Sequence, residues 1–294
     1  MPPSWPYRFL ALSPAEIQHR RELLDLRGYY AQLSAIAIVL LVRVYRSCIL
    51  LPRESGNGNS ERRPFPRPKS WWDMPPCQGW RETRKQYMVT LLWLGWLLGL
   101  SVWGAGYDYL HLTKALGHIA ISQLPFQTLM APVFYLSTKP TLPSLLSLLT
   151  SIPQQTLTPY HRLYGRIVLS PLLLGHAGLY LSFFFQSSHP EFGTLLAKRV
   201  RDPDVQWGIV ALCSAVSILI FTRPSGGQKR GSWMWRGPKT TKWGFYVGHV
   251  SFVAAFCTAV YSHVGYTRAY ILETLIGSVL NVVVCWLLLK KVLA

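Results

Sequence analysis

Residues 245–267, reading FYVGHVSFVAAFCTAVYSHVGYT, are long and apolar enough to cross a bilayer as one helix. Two histidines, His249 and His263, interrupt the run. Their spacing corresponds to about 21 Å along a helix axis and close to four whole turns. Both rings therefore project from nearly the same face. Histidines inside a span are costly and face a polar pocket or a partner. Two on one face, one per leaflet, suggest two stacked ligands, and the iron of a haem is the natural candidate for an imidazole.

A second stretch answers the first. Residues 159–186 read PYHRLYGRIVLSPLLLGHAGLYLSFFFQ and carry His161 and His176, with Pro171 between them. This pair is one residue further apart, which over-rotates an ideal helix by about 60° relative to four turns. A proline inside a helix removes a hydrogen bond and kinks it. The expectation is that a kink at Pro171 absorbs the extra residue and brings His176 back to the face of His161.

Composition sets the class. Only 14% of the 294 residues are charged and half are hydrophobic, against about a quarter charged in soluble proteins. The expected fold is all-α, a polytopic membrane helical bundle of about seven transmembrane helices. The net charge of +18 then belongs to loops retained on the cytoplasmic side. No basic patch alternates with a nucleic-acid-binding motif, so no nucleic-acid partner is expected. The five cysteines show no CxxC or Cys/His ligand spacing, so neither a disulfide framework nor a zinc site is indicated.

In chain order, residues 1–27 read as an N-terminal tail, with Ser13 and Glu16 forming a capping box for a brief helix. Residues 28–106 hold two spans, 28–51 and 87–106, joined by a basic proline-rich loop. Residues 107–294 hold the rest. A third span covers 112–135 and a fourth carries His161 and His176. The fifth is 205–221, the sixth carries His249 and His263, and the seventh is 270–289. Residues 142–152 are expected to lie flat at the interface. Arg43 and Arg46 are expected to snorkel.

Seven spans put the two ends on opposite sides. The loops 52–86, 136–158 and 222–244 and the C-terminus hold 17 of the 30 Lys and Arg residues, against nine on the other side when Lys114 at the edge of the third span is counted there. The C-terminus is accordingly expected in the cytoplasm and the N-terminus outside, in a plasma membrane or endomembrane. Spans four and six then run parallel. His161 would face His249 near the cytoplasmic leaflet, and His176 would face His263 near the outer one. Iron held by two imidazoles has no open position for small ligands, so its work is electron transfer, outward from the cytoplasm.

These residues resemble a known family. AISQLPFQTLMAP (120–132), LTPYHRLYGRIVL (157–169), LLLGHAGLYL (172–181) and GHVSFVAAFCTAVYSHVGYTRAYILETL (248–275) are similar to the ferric-reductase transmembrane domain of fungal metalloreductases. That domain is related to the membrane part of NADPH oxidases. The paired histidines and the HRxxGR element at 161–166 carry the likeness. The resemblance implies a six-helix ferric-reductase-like core with one added N-terminal helix. It also implies two b-type haems on His161, His176, His249 and His263, and electrons delivered to a ferric or cupric ion or to oxygen. No catalytic side chain is assigned.

In the family, the last span leads into a cytoplasmic flavin- and NADPH-binding module. Here five residues follow it, and no GxGxxG follows a strand. FAD and NADPH are therefore expected only through a partner, a separate flavoprotein, unless the sequence is a truncated product.

Other residues have plainer readings. Arg162 and Arg166, one turn apart beside His161, form a fork that suits a haem propionate or serves as an interface anchor. Arg268 offers the same choice beside His263. His118 is expected to be structural, bonded to Ser122. His19, His111 and His189 are expected to be solvated. The basic loop 222–244 is a docking face for an acidic donor or anionic lipid, or simply the orientation signal. Two readings compete with the electron carrier: a haem-free seven-helix receptor, which leaves the paired histidines unexplained, and a degenerate structural homologue without electron transfer.

Overall fold

A computed structural model describes residues 7, 10, 12–50, 70–133, 142–221 and 242–293. The described chain is a helical bundle. Among the described residues, five segments are long and apolar enough to cross a membrane: Pro14–Cys48, Gln154–Gln186, Pro203–Phe221, Trp243–His263 and Gly265–Leu288. The fold class is the expected all-α polytopic one. The count of seven spans is not reproduced by these criteria.

The first helix, α1 (Pro14–Tyr45), is longer than its apolar run. Ser13 caps it and exchanges hydrogen bonds with Glu16, as the sequence indicates. The short polar helix and the first span are one continuous rod, because no proline lies between residues 17 and 44 and the single glycine there, Gly28, does not break a helix of this length. The second helix, α2 (Arg84–Val102), opens on a Thr83–Gln86 capping box.

The third span departs from expectation. It is a helix, α3 (Tyr109–Ser122), followed after Gln123 by a short helix, α4 (Leu124–Leu129). Pro125 stands in the first turn of α4 and cannot donate to the turn before it. The broken junction is sealed by side chains. Wholly buried Gln123 accepts from the Tyr164 hydroxyl at 2.6 Å, and that hydroxyl accepts from the Trp93 indole at 2.7 Å.

The segment expected to lie flat forms α5 (Leu145–Thr150), which turns Leu146, Ser147 and Thr150 inward. The Leu145 N–H donates to Asn281 and the Ser144 N–H to Gln154, so it is stitched into the bundle. Arg43 donates to Ser151.

Next comes one continuous rod: α6 (Gln154–Leu163), a π-helical stretch over Tyr164–Leu169, and α7 (Ser170–Gln186). A two-residue antiparallel ribbon, Ser188–His189 with Gly193–Thr194, and the short α8 (Leu195–Arg199) lead on. They connect to α9 (Pro203–Phe221), α10 (Lys242–His263) and α11 (Arg268–Leu293).

Helices α9 and α10 pack closely. Gly208, Ala211 and Ser214 line one side of α9, and small residues let helix backbones approach where no water drives association. The buried centre is formed by Leu116, Ile119 and Ala120 of α3, Val168 and Leu172, and Phe256, Ala259 and Val260 of α10. These residues lie between the two histidine levels.

Candidate functional site

The continuous rod from α6 to α7 and the parallel helix α10 place the four histidines. His161 faces His249 with ring centroids 6.4 Å apart and planes at 77°. At the other level, the His263 imidazole lies within electrostatic reach of His176. First histidine thus faces first, and second lies near second.

The one-residue mismatch is resolved by a device the sequence reading did not contain. A π-turn closes i→i+5 hydrogen bonds and so inserts one residue into an α-helix. The π-helical stretch Tyr164–Leu169 takes up the residue by which the His161–His176 spacing exceeds that of His249 and His263. Pro171 follows it directly, in the first turn of α7. The proline ring would clash with the carbonyl four residues back in a regular helix, and the widened turn removes that clash. The correction is therefore one of means: a bulge before the proline rather than a kink at it.

Three of the rings are oriented through Nδ1. A carbonyl oxygen only accepts, so Nδ1 of each ring must carry the proton. His161 donates to the Gln127 carbonyl at 3.1 Å, His176 to the Thr113 carbonyl at 2.8 Å, and His263 to the Asp204 carbonyl at 2.5 Å. Protonation at Nδ1 leaves the Nε2 lone pair for a metal, and such a carbonyl partner fixes the ring of a ligand histidine. The Gln127 side chain returns a bond to the His161 carbonyl at 2.9 Å. His249 stacks on Phe245, with planes 15° apart.

Two glycines make room for the second level. A Cβ on Gly117 would stand 2.7 Å from the His176 ring, and one on Gly208 would stand 2.9 Å from the His263 ring. Neither glycine, nor Gln127, was singled out from the sequence. Their signal, a glycine on a neighbouring helix at histidine height, needs the packing to be known.

The arrangement fits haem. Two imidazoles that share one metal at about 2 Å from each Nε2 have ring centroids roughly 6 Å apart, as His161 and His249 do. The apolar residues between the levels supply dry walls. Residues 176 and 263 fit by the same donor chemistry.

Arg162 and Arg166 face elsewhere than the sequence reading weighed. Both guanidinium groups meet the buried carboxylate of Glu82, Arg162 Nε at 3.0 Å and Arg166 Nη2 at 3.3 Å. Glu82 lies far away in sequence, next to the α2 cap, so no local spacing announced it. Arg268 donates to the Tyr261 carbonyl and covers its ring.

His118 is structural, but Ser122 is not its partner. Its Nε2 lies 3.2 Å from the Tyr270 hydroxyl and 3.4 Å from Asp25, while Ser122 donates to the Ile119 carbonyl. His111, expected in solvent, is buried in the first turn of α3. His19 is exposed as expected, and His189 is half-buried. Most of the basic loop 222–244 lies outside the described residues.

Neither a curated protein nor a solved structure matches the chain. The family model that does match is described as "Ferric reductase like transmembrane component", over residues 116–260. The match opens at Leu116 on α3 and closes at Val260 in α10, so it contains His161, His176 and His249, and His263 lies three residues beyond its end. Over residues 116–260, the chain matches the ferric reductase-like transmembrane component family.

Proposed function

We propose that this protein is a bis-haem b-type electron carrier that moves electrons across a membrane from the cytoplasmic side to the outer side. One observation carries the reading: His161 and His249, on two different helices, face each other at the separation of an imidazole pair sharing one metal. The Nδ1 bonds of His161, His176 and His263 to backbone carbonyls support it, because each leaves Nε2 as the ligand atom. Haem supplies the one-electron chemistry when bound. The chain's own residues hold the rings, exclude water from the space between the levels and keep each ring in one tautomer.

The orientation, C-terminus in the cytoplasm and N-terminus outside, rests on the distribution of Lys and Arg. The acceptor in this reading is a ferric or cupric ion, or oxygen. The donor is a separate flavoprotein that takes hydride from NADPH. Lipid surrounds the bundle.

The test is a reduced-minus-oxidised visible spectrum of the purified protein, with haem quantified per chain. Two low-spin b-type haems are expected. A folded sample with no haem, from cells supplied with haem, would overturn the reading and favour the receptor or the degenerate homologue.

A further inference from the structure

A cavity of about 380 Å³ lies away from the space between the facing histidines, where the start of α1 meets the start of α3. One wall is apolar, formed by Leu10, Ile17, Leu24 and Leu110. The other wall is basic, with Arg20, Arg21 and Lys114. Asp108 is the only acid among the described lining residues, and it is already paired with Arg20. Arg21 and Lys114 therefore present net positive charge to the opening, and both are exposed.

Two buried groups sharpen this. His111 also lines the cavity; it is 3% exposed, and its Nε2 has no partner among the described residues. Arg27 stands near enough to act on the His111 ring and is wholly buried, and none of its three guanidinium nitrogens has a partner among the described residues. A buried unpaired guanidinium is expensive. A neighbouring anion would reduce that cost. The cavity also sits where α1 passes from its charged first turns to its apolar run, the depth at which a lipid head group meets its chains.

We propose that this cavity binds a phosphate-headed membrane amphiphile, its head on Arg21, Lys114 and the His111 Nε2 and its chain on Ile17, Leu24 and Leu110. The site depends on the fold alone and does not require haem.

The test uses the full chain purified in a neutral maltoside detergent. Binding of dioctanoyl phosphatidic acid is followed by its effect on thermal unfolding, beside dioctanoyl phosphatidylcholine and inorganic phosphate. Saturable stabilisation by phosphatidic acid is expected, with much weaker effects from the other two. Lys114→Glu, at an exposed position, should weaken it roughly tenfold while leaving the elution profile and the ligand-free unfolding unchanged; Arg21→Glu, which also removes the guanidinium over the Tyr266 ring, should weaken it to a similar degree. Equal stabilisation by phosphatidylcholine would overturn the proposal, as would undiminished binding in both variants. Phosphate binding as tightly as the lipid would reduce the site to an anion pocket and overturn the amphiphile. His111→Gln is a second probe of the buried side and should weaken binding without abolishing it.

Discussion

A Cβ placed on Gly117 would stand 2.7 Å from Nδ1 of His176, so the histidine ring fills the space any other residue at 117 would need. The same ring is pinned by the Thr113 carbonyl, one turn earlier on the same helix. It cannot retreat without losing that bond. Gly117→Ala is therefore expected to displace His176 and empty the second haem level, at a packing cost of about 1–3 kcal/mol. Haem per chain should fall from two to one. Gly208→Ala, against the His263 ring, should give the same result. Pyridine haemochrome quantification of both variants checks this, and retention of two haems in both would refute the role given to the glycines.

Glu82 gathers Arg162 and Arg166 at the end of the rod that carries His161. Its carboxylate is almost fully buried, whereas the arginines are a third or more exposed, so solvent screens part of the attraction. Glu82→Gln should lower stability by about 1–2 kcal/mol, below the cost of breaking a fully buried pair. It should leave both haems in place, because Glu82 holds the arginines and not the histidine rings. Thermal unfolding combined with haem content reads both effects. Loss of the His161-level haem in Glu82→Gln would show instead that the arginine fork positions the cofactor.

Much of this architecture is legible in the sequence, and what is not shares one property. The paired histidines are readable because helical periodicity is local: positions 249 and 263 share a face whatever surrounds them. The Ser13–Glu16 cap is local too. The π-turn was half visible, since the extra residue and Pro171 announce a fault but not whether the helix kinks or bulges. Glu82, Gly117 and Gln127 were invisible as site residues because each acts across a helix–helix contact. His111 was misread for the reverse reason: placed at a span boundary, it looked solvated, but it is buried, and α1 and the tail residues Leu10 and Leu12 line the same cavity. The third span was misjudged because a long apolar run counts as one helix until Pro125 and buried Gln123 are seen to divide it.

The N-terminal helix is locked to the last one through Gly28. A Cβ there would collide with the Tyr270 hydroxyl, which in turn meets Nε2 of His118 at 3.2 Å, and Asp25 approaches the same nitrogen. Gly28→Ala should destabilise the protein by about 1–3 kcal/mol. Tyr270→Phe removes the oxygen that the new methyl would strike, so the double variant Gly28→Ala/Tyr270→Phe should lose less than the sum of the two single changes. A thermal-unfolding cycle over the four proteins measures this coupling. Strict additivity would mean that the helix shifts as a body and that Gly28 is not the point of contact.

The π-turn makes the sharpest demand, because it ties a residue count to a haem count. If the bulge over Tyr164–Leu169 absorbs the extra residue, deleting Val168 should convert it to plain α-helix. The His161–His176 spacing would then match that of His249 and His263, and both haems should be retained despite the loss of a buried side chain. Inserting one alanine after Leu169 should rotate His176 by about 100° away from His263 and remove the haem at that level alone. Pro171→Ala separates cause from count. The proline favours the widened turn, but fifteen residues still have to span four turns, so the variant should keep the bulge and two haems. Spectra of the three variants, read with haem per chain, decide the matter. If the insertion keeps two haems, His176 is not the ligand at its level, and the second pair must be sought elsewhere.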